Sequence, residues 1–180
     1  MQTIELVFGT PAHAEILYRI FHGEQMRKHS PVSDLSVEQL RERLSRSGPS
    51  FHERAEFYRL FAAVGGEIFG TFVLKNIDWN AKSGEIGFGL LEGRQGRGLA
   101  TGMARKCMQE IFSRTDLYSL WATTSYDNIA AQRVLVKSGF LCQGDYPEAF
   151  IINSISVPQY HYTVNKDDKE GSWNIETARS

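Results

Sequence analysis

Apolar residues along this chain recur in two rhythms. Short apolar runs bounded by turn residues occupy 3–8 (TIELVF), 56–64 (EFYRLFAAV), 67–77 (EIFGTFVLKNI), 84–91 (GEIGFGLL), 117–125 (LYSLWATTS), the stretch FLCQGDY from Phe140, and 156–164 (SVPQYHYTV). These read as strands. Gly65-Gly66 separates the second and third runs and supplies the positive φ angles that a two-residue hairpin turn requires. Elsewhere the spacing is helical. AHAEILYRIF, after Thr10-Pro11, places Ile16, Leu17, Ile20 and Phe21 on one face, with the proline at the first turn. VEQLRERLSR follows Ser36, and Ser36 with Gln39 has the spacing of a capping box. LATGMARKCMQEIF (99–112) carries a stripe of Leu99, Met103, Ala104, Cys107, Met108 and Ile111. Asn128 to Ser138 reads as a short helix stopped by Gly139.

The expected order is β α α β β β α β α β β, with HGEQMRKHSPVSD left as a polar connection and the middle of the chain an antiparallel meander without βαβ context. Such a mixture points to a three-layer α/β or α+β domain over residues 1–165. The polar segment 166–180 reads as a tail with the composition of a disordered segment.

Composition narrows the classes. The chain has 180 residues, 42% hydrophobic and 23% charged, with a formal net charge of -1. That suits one soluble domain without the basic field that nucleic acid or anionic lipid requires. The two cysteines, Cys107 and Cys142, make no disulfide framework, and no signal peptide or membrane-length apolar run is visible. A cytoplasmic location is expected.

The chemistry concentrates in EGRQGRGLAT (92–101), between a strand and a helix. Glycines there let backbone N–H groups turn outward at a helix N-terminus, which is an anion site suited to phosphate, with Arg94 and Arg97 at its rim. A P-loop would need Lys-Ser/Thr where Leu99-Ala100 stands, and a dinucleotide fingerprint would need glycine where Thr101 stands. Gln95-Gly96-Arg97-Gly98-Leu99-Ala100 instead resembles the Gln/Arg-x-x-Gly-x-Gly/Ala motif of the GNAT acetyltransferases. The hexapeptide alone serves equally as a glycine-bearing helix start. A second motif adds to it. Asn128-Ile-Ala-Ala-Gln-Arg-Val-Leu-Val-Lys-Ser-Gly-Phe140 resembles the family's Asn-led helix, and GEIGFGLL its preceding strand, especially in the RimJ/RimL-like branch.

The resemblance implies a three-layer α/β/α fold whose mixed, mostly antiparallel sheet splays between the strands at 84–91 and 117–125. Acetyl-CoA would lie in the opening, its diphosphate on the backbone of Gln95, Gly96, Arg97, Gly98, Leu99, Ala100 and Thr101. Its pantetheine arm would pair with Phe88, Gly89 and Leu90 like an added strand, next to Asn128 and Ala131. Asn128 or Asp127 could also serve simply as a helix cap. The implied activity is N-acetyl transfer to a primary amine of a small molecule or protein N-terminus, by direct attack in a ternary complex and without a metal. The alternative is a non-catalytic acyl-CoA-binding module of the same fold.

For the base, Glu85 stands in an apolar strand where some members carry a catalytic glutamate, and it could equally pair with a nearby Lys or Arg. Glu148 is a second candidate and Asp145 a third. His161 and Tyr162 alternate, so only one can face the cleft. His13, His22 and His29 read as surface or acceptor-side residues, and His52 carries no signal. The family's usual tyrosine and serine are replaced by Leu135 and Ala131, which leaves the proton donor open to Tyr126 or water. Residues 12–55 and 145–160, with Phe21, Phe51, Tyr146, Phe150, Arg27, Lys28 and Glu53, are expected to shape the acceptor site. A monomer or homodimer is expected.

Overall fold

A computed structural model of the chain describes residues 3–31 and 34–168, so the tail from 169 onward lies outside the described residues. The elements are β1 (Ile4–Phe8), a 3-10 turn (Pro11–His13), α1 (Ala14–Phe21), α2 (Glu24–His29), α3 (Val37–Ser45), β2 (Tyr58–Val64) and β3 (Glu67–Asp78). They continue with β4 (Ser83–Leu90), α4 (Leu99–Arg114), β5 (Ser119–Ser125), α5 (Ile129–Lys137), β6 (Leu141–Asp145), β7 (Phe150–Ile152), β8 (Ile155–Val157) and β9 (Gln159–Asn165).

Seven strands form one sheet in the order β1-β2-β3-β4-β5-β9-β6, antiparallel except for β4 and β5. Parallel neighbours need a crossover, and α4 supplies it. The stretch 84–125 is therefore a βαβ unit, a context not expected at the glycine turn, while the antiparallel meander of β2, β3 and β4 forms as read. The reason is that the long run 99–114 has room to return the chain to the same end of the sheet. α4 and α5 cover one face: Met103, Ala104, Cys107, Met108, Ile111 and Leu135 pack with Tyr58, Phe72, Leu74, Ile86 and Leu120. α1 and α3 cover the other, through Ala14, Leu17, Ile20, Leu40 and Leu44 on Phe61. This is the mixed three-layer arrangement expected.

The capping box forms as read, with Gln39 N–H donating to Ser36 Oγ at 3.2 Å and Ser36 N–H to Gln39 Oε1 at 2.9 Å. Two features differ from the expected order. The polar connection contains α2, six residues without an apolar stripe. The segment 150–157 forms the small β7-β8 hairpin, and the closing strand is divided at Pro158. Among the described residues no helix is long and apolar enough to cross a membrane.

Phe72 is fully buried at the centre of the sheet. Phe72→Ala is expected to destabilise the protein by about 3–5 kcal/mol through lost burial and an unfilled cavity, read as a lowered midpoint in urea unfolding.

Candidate active site

β4 and β5 pair over only three positions, Ser83 with Ser119, Gly84 with Leu120 and Glu85 with Trp121. Beyond Glu85 the two strands part, although β4 stays paired with β3 to Leu90 and β5 with β9 to Ser125. One edge of β4 from Ile86 to Leu90 is thereby left open toward the gap.

At the end of β4, Leu91 N–H donates to Phe69 O at 2.8 Å and Arg94 N–H to Leu91 O at 3.1 Å, turning the chain toward α4. Gly96 and Gly98 take φ of +76° and +73°, which side chains with a Cβ rarely adopt. Gly98 is the N-cap of α4, and its carbonyl accepts the helix's first bond from Gly102 N–H at 3.0 Å. Among the described residues, the N–H groups of Gln95 to Thr101 meet no protein acceptor. They stand free at the positive end of a 16-residue helix.

A cavity of about 560 Å³ opens over these amides, bounded by Phe88, Gly89, Leu90, Gln95, Gly96, Gly98, Leu99, Ala100 and Thr101 on one side and by Asn128 and Ala131 of the α5 start on the other. Of the residues expected at the cofactor, only Arg97 is absent from this wall. It is exposed and lines, with Arg94 and Glu67, a separate small cavity. Asn128 acts as the cap of α5, its Oδ1 accepting from Ala131 N–H at 3.1 Å. Arg133 and Lys137 also line the groove and add positive charge to it. Their i, i+4 spacing on the helix was the sequence signal that could have found them.

A second cavity, of about 260 Å³, continues from the splay under α1 and α2 and shares Phe88, Gly89, Asn128, Ala131, Met26 and His29 with the first. Glu85 lies in its wall, mostly buried. Its carboxylate is held by Lys75 Nζ at 3.1 Å and by the Asn76 side-chain amide, which donates to Oε2 at 2.6 Å. Glu85 thus has the lysine partner that the sequence allowed, and it also lines the cavity at the gap. Asn76 has φ of +46° at an irregularity of the β3-β4 ladder. A bulge of this kind re-aims a side chain beside a site.

His29, at the end of α2, is 7% exposed and lines both cavities. Its Nδ1 lies 3.3 Å from Asp127 Oδ1. The Ser125 hydroxyl, then His29, hold the Asp127 carboxyl below its usual range. Sequence reasoning left His29 on the surface or acceptor side, because nothing local to α2 shows that Asp127 meets it.

The structure does not bring the other candidates to the gap. Glu148 is exposed in the loop after β6, where its carbonyl accepts from Gln159 Nε2 at 2.9 Å. Tyr126 stacks on Tyr160 with centroids 4.1 Å apart, and the nearby Asp145 carboxylate, then desolvation, push the phenol up to about 12. Tyr162 is buried in the core beneath α5, whereas His161 is on the opposite face, between Trp121 and Tyr146. Leu135, at the position of the family's tyrosine, is buried in the cavity wall and carries no proton. Among the described residues, no three His, Cys, Asp or Glu side chains gather as a metal site.

Cys107 is buried in α4, and burial, then Glu110, push its thiol well above the ordinary range, whereas Cys142 is exposed. A maleimide at neutral pH is expected to label Cys142 and spare Cys107 in the folded protein. Equal labelling of both by mass spectrometry would contradict the core role of Cys107.

Comparison with known proteins agrees with this geometry. The solved RimL ribosomal L7/L12 alpha-N-protein acetyltransferase in complex with coenzyme A aligns with a TM-score of 0.81, covering 94% of this chain and 97% of its own, at 20% identity. A spermidine N-acetyltransferase chimera from Vibrio cholerae aligns with a TM-score of 0.78, covering 90% of this chain and 95% of its own, at 16% identity. In sequence, the "Putative ribosomal N-acetyltransferase YdaF" of Bacillus subtilis is 24% identical over 106 residues, 59% of this chain and 58% of that protein. The matched region thus spans less than two thirds of that relative's length. The sequence model of the acetyltransferase (GNAT) domain matches residues 4–141. By that match, and with the splayed sheet and the free-amide turn in place, the chain belongs to the GNAT acetyltransferase family.

Proposed function

We propose that this protein moves an acetyl group from acetyl-CoA to a primary amine by direct attack in a ternary complex. The observation that carries the reading is one continuous gap with unpaired amides from Gln95 to Thr101 at one end and Glu85 at the other. Acetyl-CoA supplies the acyl group as a thioester. The residues present fit it: the amides of 95–101 with Arg133 and Lys137 for the phosphates, and the open edge of Phe88, Gly89 and Leu90 for the amide-bearing arm. Asn128 and Ala131 form the facing wall, where the small Ala131 side chain leaves room.

A primary alkylammonium has a pKa of about 10.4, so roughly 0.1% is neutral near pH 7. Glu85, directly or through one water, takes the amine proton. Lys75 and Asn76 fix the direction of its carboxylate. A main-chain N–H between Phe88 and Leu90 donates to the acyl oxygen as negative charge builds there. A thiol pKa of about 8.5 lets the leaving sulfur depart without a protein acid, which suits Leu135. Two free thiols support a reducing, cytoplasmic compartment.

The buried Leu135 and the alanine at 131 also support a second reading, an acyl-CoA-binding module without turnover. Thiol release from acetyl-CoA over a panel of amines separates the two. Turnover with at least one amine is expected. Tight acetyl-CoA binding with no turnover on any amine would favour the module.

A further inference from the structure

We infer that the acceptor is a small primary amine that also carries an oxyanion, a carboxylate or a phosphate, and that Arg59 and Arg43 hold this group at the far wall of the acceptor cavity. The inference rests on the acetyl-transfer reading of the gap and names its acceptor class.

Arg59, on β2, is 7% exposed and lines the 260 Å³ cavity together with Arg43 of α3. Among the described residues, no carboxylate lies within ion-pair distance of its guanidinium and no acceptor receives its N–H groups. The rest of the residue is fully engaged. Its N–H donates to Ser47 Oγ at 2.8 Å, and its carbonyl accepts from Gly9 N–H at 2.6 Å. Its stem packs on Gly9, where an added Cβ would come within 3.0 Å of Arg59 Cγ. The Phe21 ring lies 5.5 Å from the guanidinium carbon. Only the head group is left to face the cavity.

This inverts the usual distribution of charge pairs. Arg27, Arg41, Arg54, Arg94 and Arg114 lie nearer solvent and each has a carboxylate partner. A buried cation without a counter-ion is costly, and folded proteins pair such groups or leave them for a ligand. Burial and the like charge of Arg43 push the guanidinium down to about 9, still charged at neutral pH. The only carboxylate in the cavity wall, among the described residues, is Glu85, which Lys75 already holds.

Register sets the separation. Arg59 pairs with Val73 and Val73 with Gly87, so all three share one face in one row across the sheet. Two strand spacings, about 10 Å of backbone, separate Arg59 from the open edge of β4. Between the guanidinium and that edge, the row holds only the Val73 side chain and the bare Gly87. A compact molecule can thus offer its amine at the gap and its oxyanion to a bidentate guanidinium. A polycation such as spermidine would meet Arg59, Arg43 and Lys75 unfavourably.

The test uses acceptor pairs that differ in the anion, compared per neutral amine because removing the anion also shifts the amine pKa: α-amino acids against their carboxamides, and O-phosphoethanolamine against ethanolamine, with spermidine alongside. In thiol-release kinetics the anionic member is expected to lead by about 10- to 100-fold in kcat/KM, chiefly through KM, as a charge-assisted hydrogen bond implies. Which pair shows the larger ratio tells carboxylate from phosphate. Arg59→Gln is expected to collapse the preference while leaving acetyl-CoA affinity by calorimetry unchanged, and Arg59→Lys to restore it in part. Should Arg59→Gln not fold, Arg43→Gln, at an exposed position of α3, carries the same comparison.

Equal or better use of carboxamides, ethanolamine or spermidine would overturn the inference, as would a preference that survives Arg59→Gln. Calorimetric titration of the same compounds into the protein with and without coenzyme A reads the site independently of turnover. Heat from an anionic amine that Arg59→Gln abolishes would support the site, and no heat from any of them would overturn it. Failure of acetyl-CoA to bind would instead sink the reading of the gap and leave this titration meaningful.

Discussion

Replacing Gly98 by glutamate is expected to weaken acetyl-CoA binding by at least about 100-fold and so abolish activity at ordinary cofactor concentrations. Two effects add. Gly98 has φ of +73°, so a residue with a Cβ favours a relaxed turn in the free protein, and restoring the left-handed turn on the cofactor costs about 1–2 kcal/mol. The new carboxylate would also stand among the amides offered to a diphosphate. Two like charges about 4 Å apart repel by about 4 kcal/mol at an effective dielectric of about 20, and each 1.4 kcal/mol is tenfold. In the free protein a Cβ at Gly98 would meet nothing within 4 Å, so the variant is expected to fold. Gly98→Ala separates the terms, since it keeps the cost of restoring the turn and omits the charge, and should lose about tenfold. Calorimetry with acetyl-CoA decides: an unchanged affinity for Gly98→Glu would mean the diphosphate is held elsewhere.

Glu85→Gln should lower kcat by about 10²- to 10³-fold near neutral pH without changing acetyl-CoA affinity, the range expected for loss of a positioned base. The glutamine keeps the shape and can still face Asn76, but it cannot accept the amine proton. The sign of the pH dependence follows from the acceptor. Below a pKa of about 10.4 the neutral amine grows tenfold per pH unit, so the variant's rate climbs with pH and its deficit narrows. A deficit that stays constant with pH would assign Glu85 to packing against Lys75 instead. If Glu85→Gln left kcat intact, His29 would become the next group to test. It is buried in the wall of both cavities and oriented by Asp127.

The two tests probe parts of the site that differ in how far sequence alone revealed them. The glycine turn was visible because its requirement is local: left-handed φ values and free amides at a helix start depend on a few adjacent residues. The six apolar positions read on 99–112 became the face of α4 for the same reason, five of them fully buried and Leu99 packed against that core. Side-chain period and residue type carry that information without help from distant elements. Asn128 was legible as a cap on equal terms, and it caps α5.

Other features depend on what lies across the fold. Glu85 could be marked as unusual in an apolar run, but its place at the last paired position of β4 and β5 is a property of two strands that part. Glu148 stood second to Glu85 as a base and Tyr126 was open as the proton donor, and the path of the chain after β5 and β6 set both away from the gap. His29 sits in a six-residue helix with no stripe, and only Asp127, 98 positions away, gives it a role. Arg59 lies in a strand buried on both faces, where alternation cannot say which side chains face a void. By itself, then, the sequence determined most of the elements, the anion-binding turn and the family resemblance, because these follow from contacts within a few residues. The tertiary structure alone decided where the sheet opens, which carboxylate meets the opening and which buried cation has no partner, because burial and pairing belong to surfaces that only folding brings together.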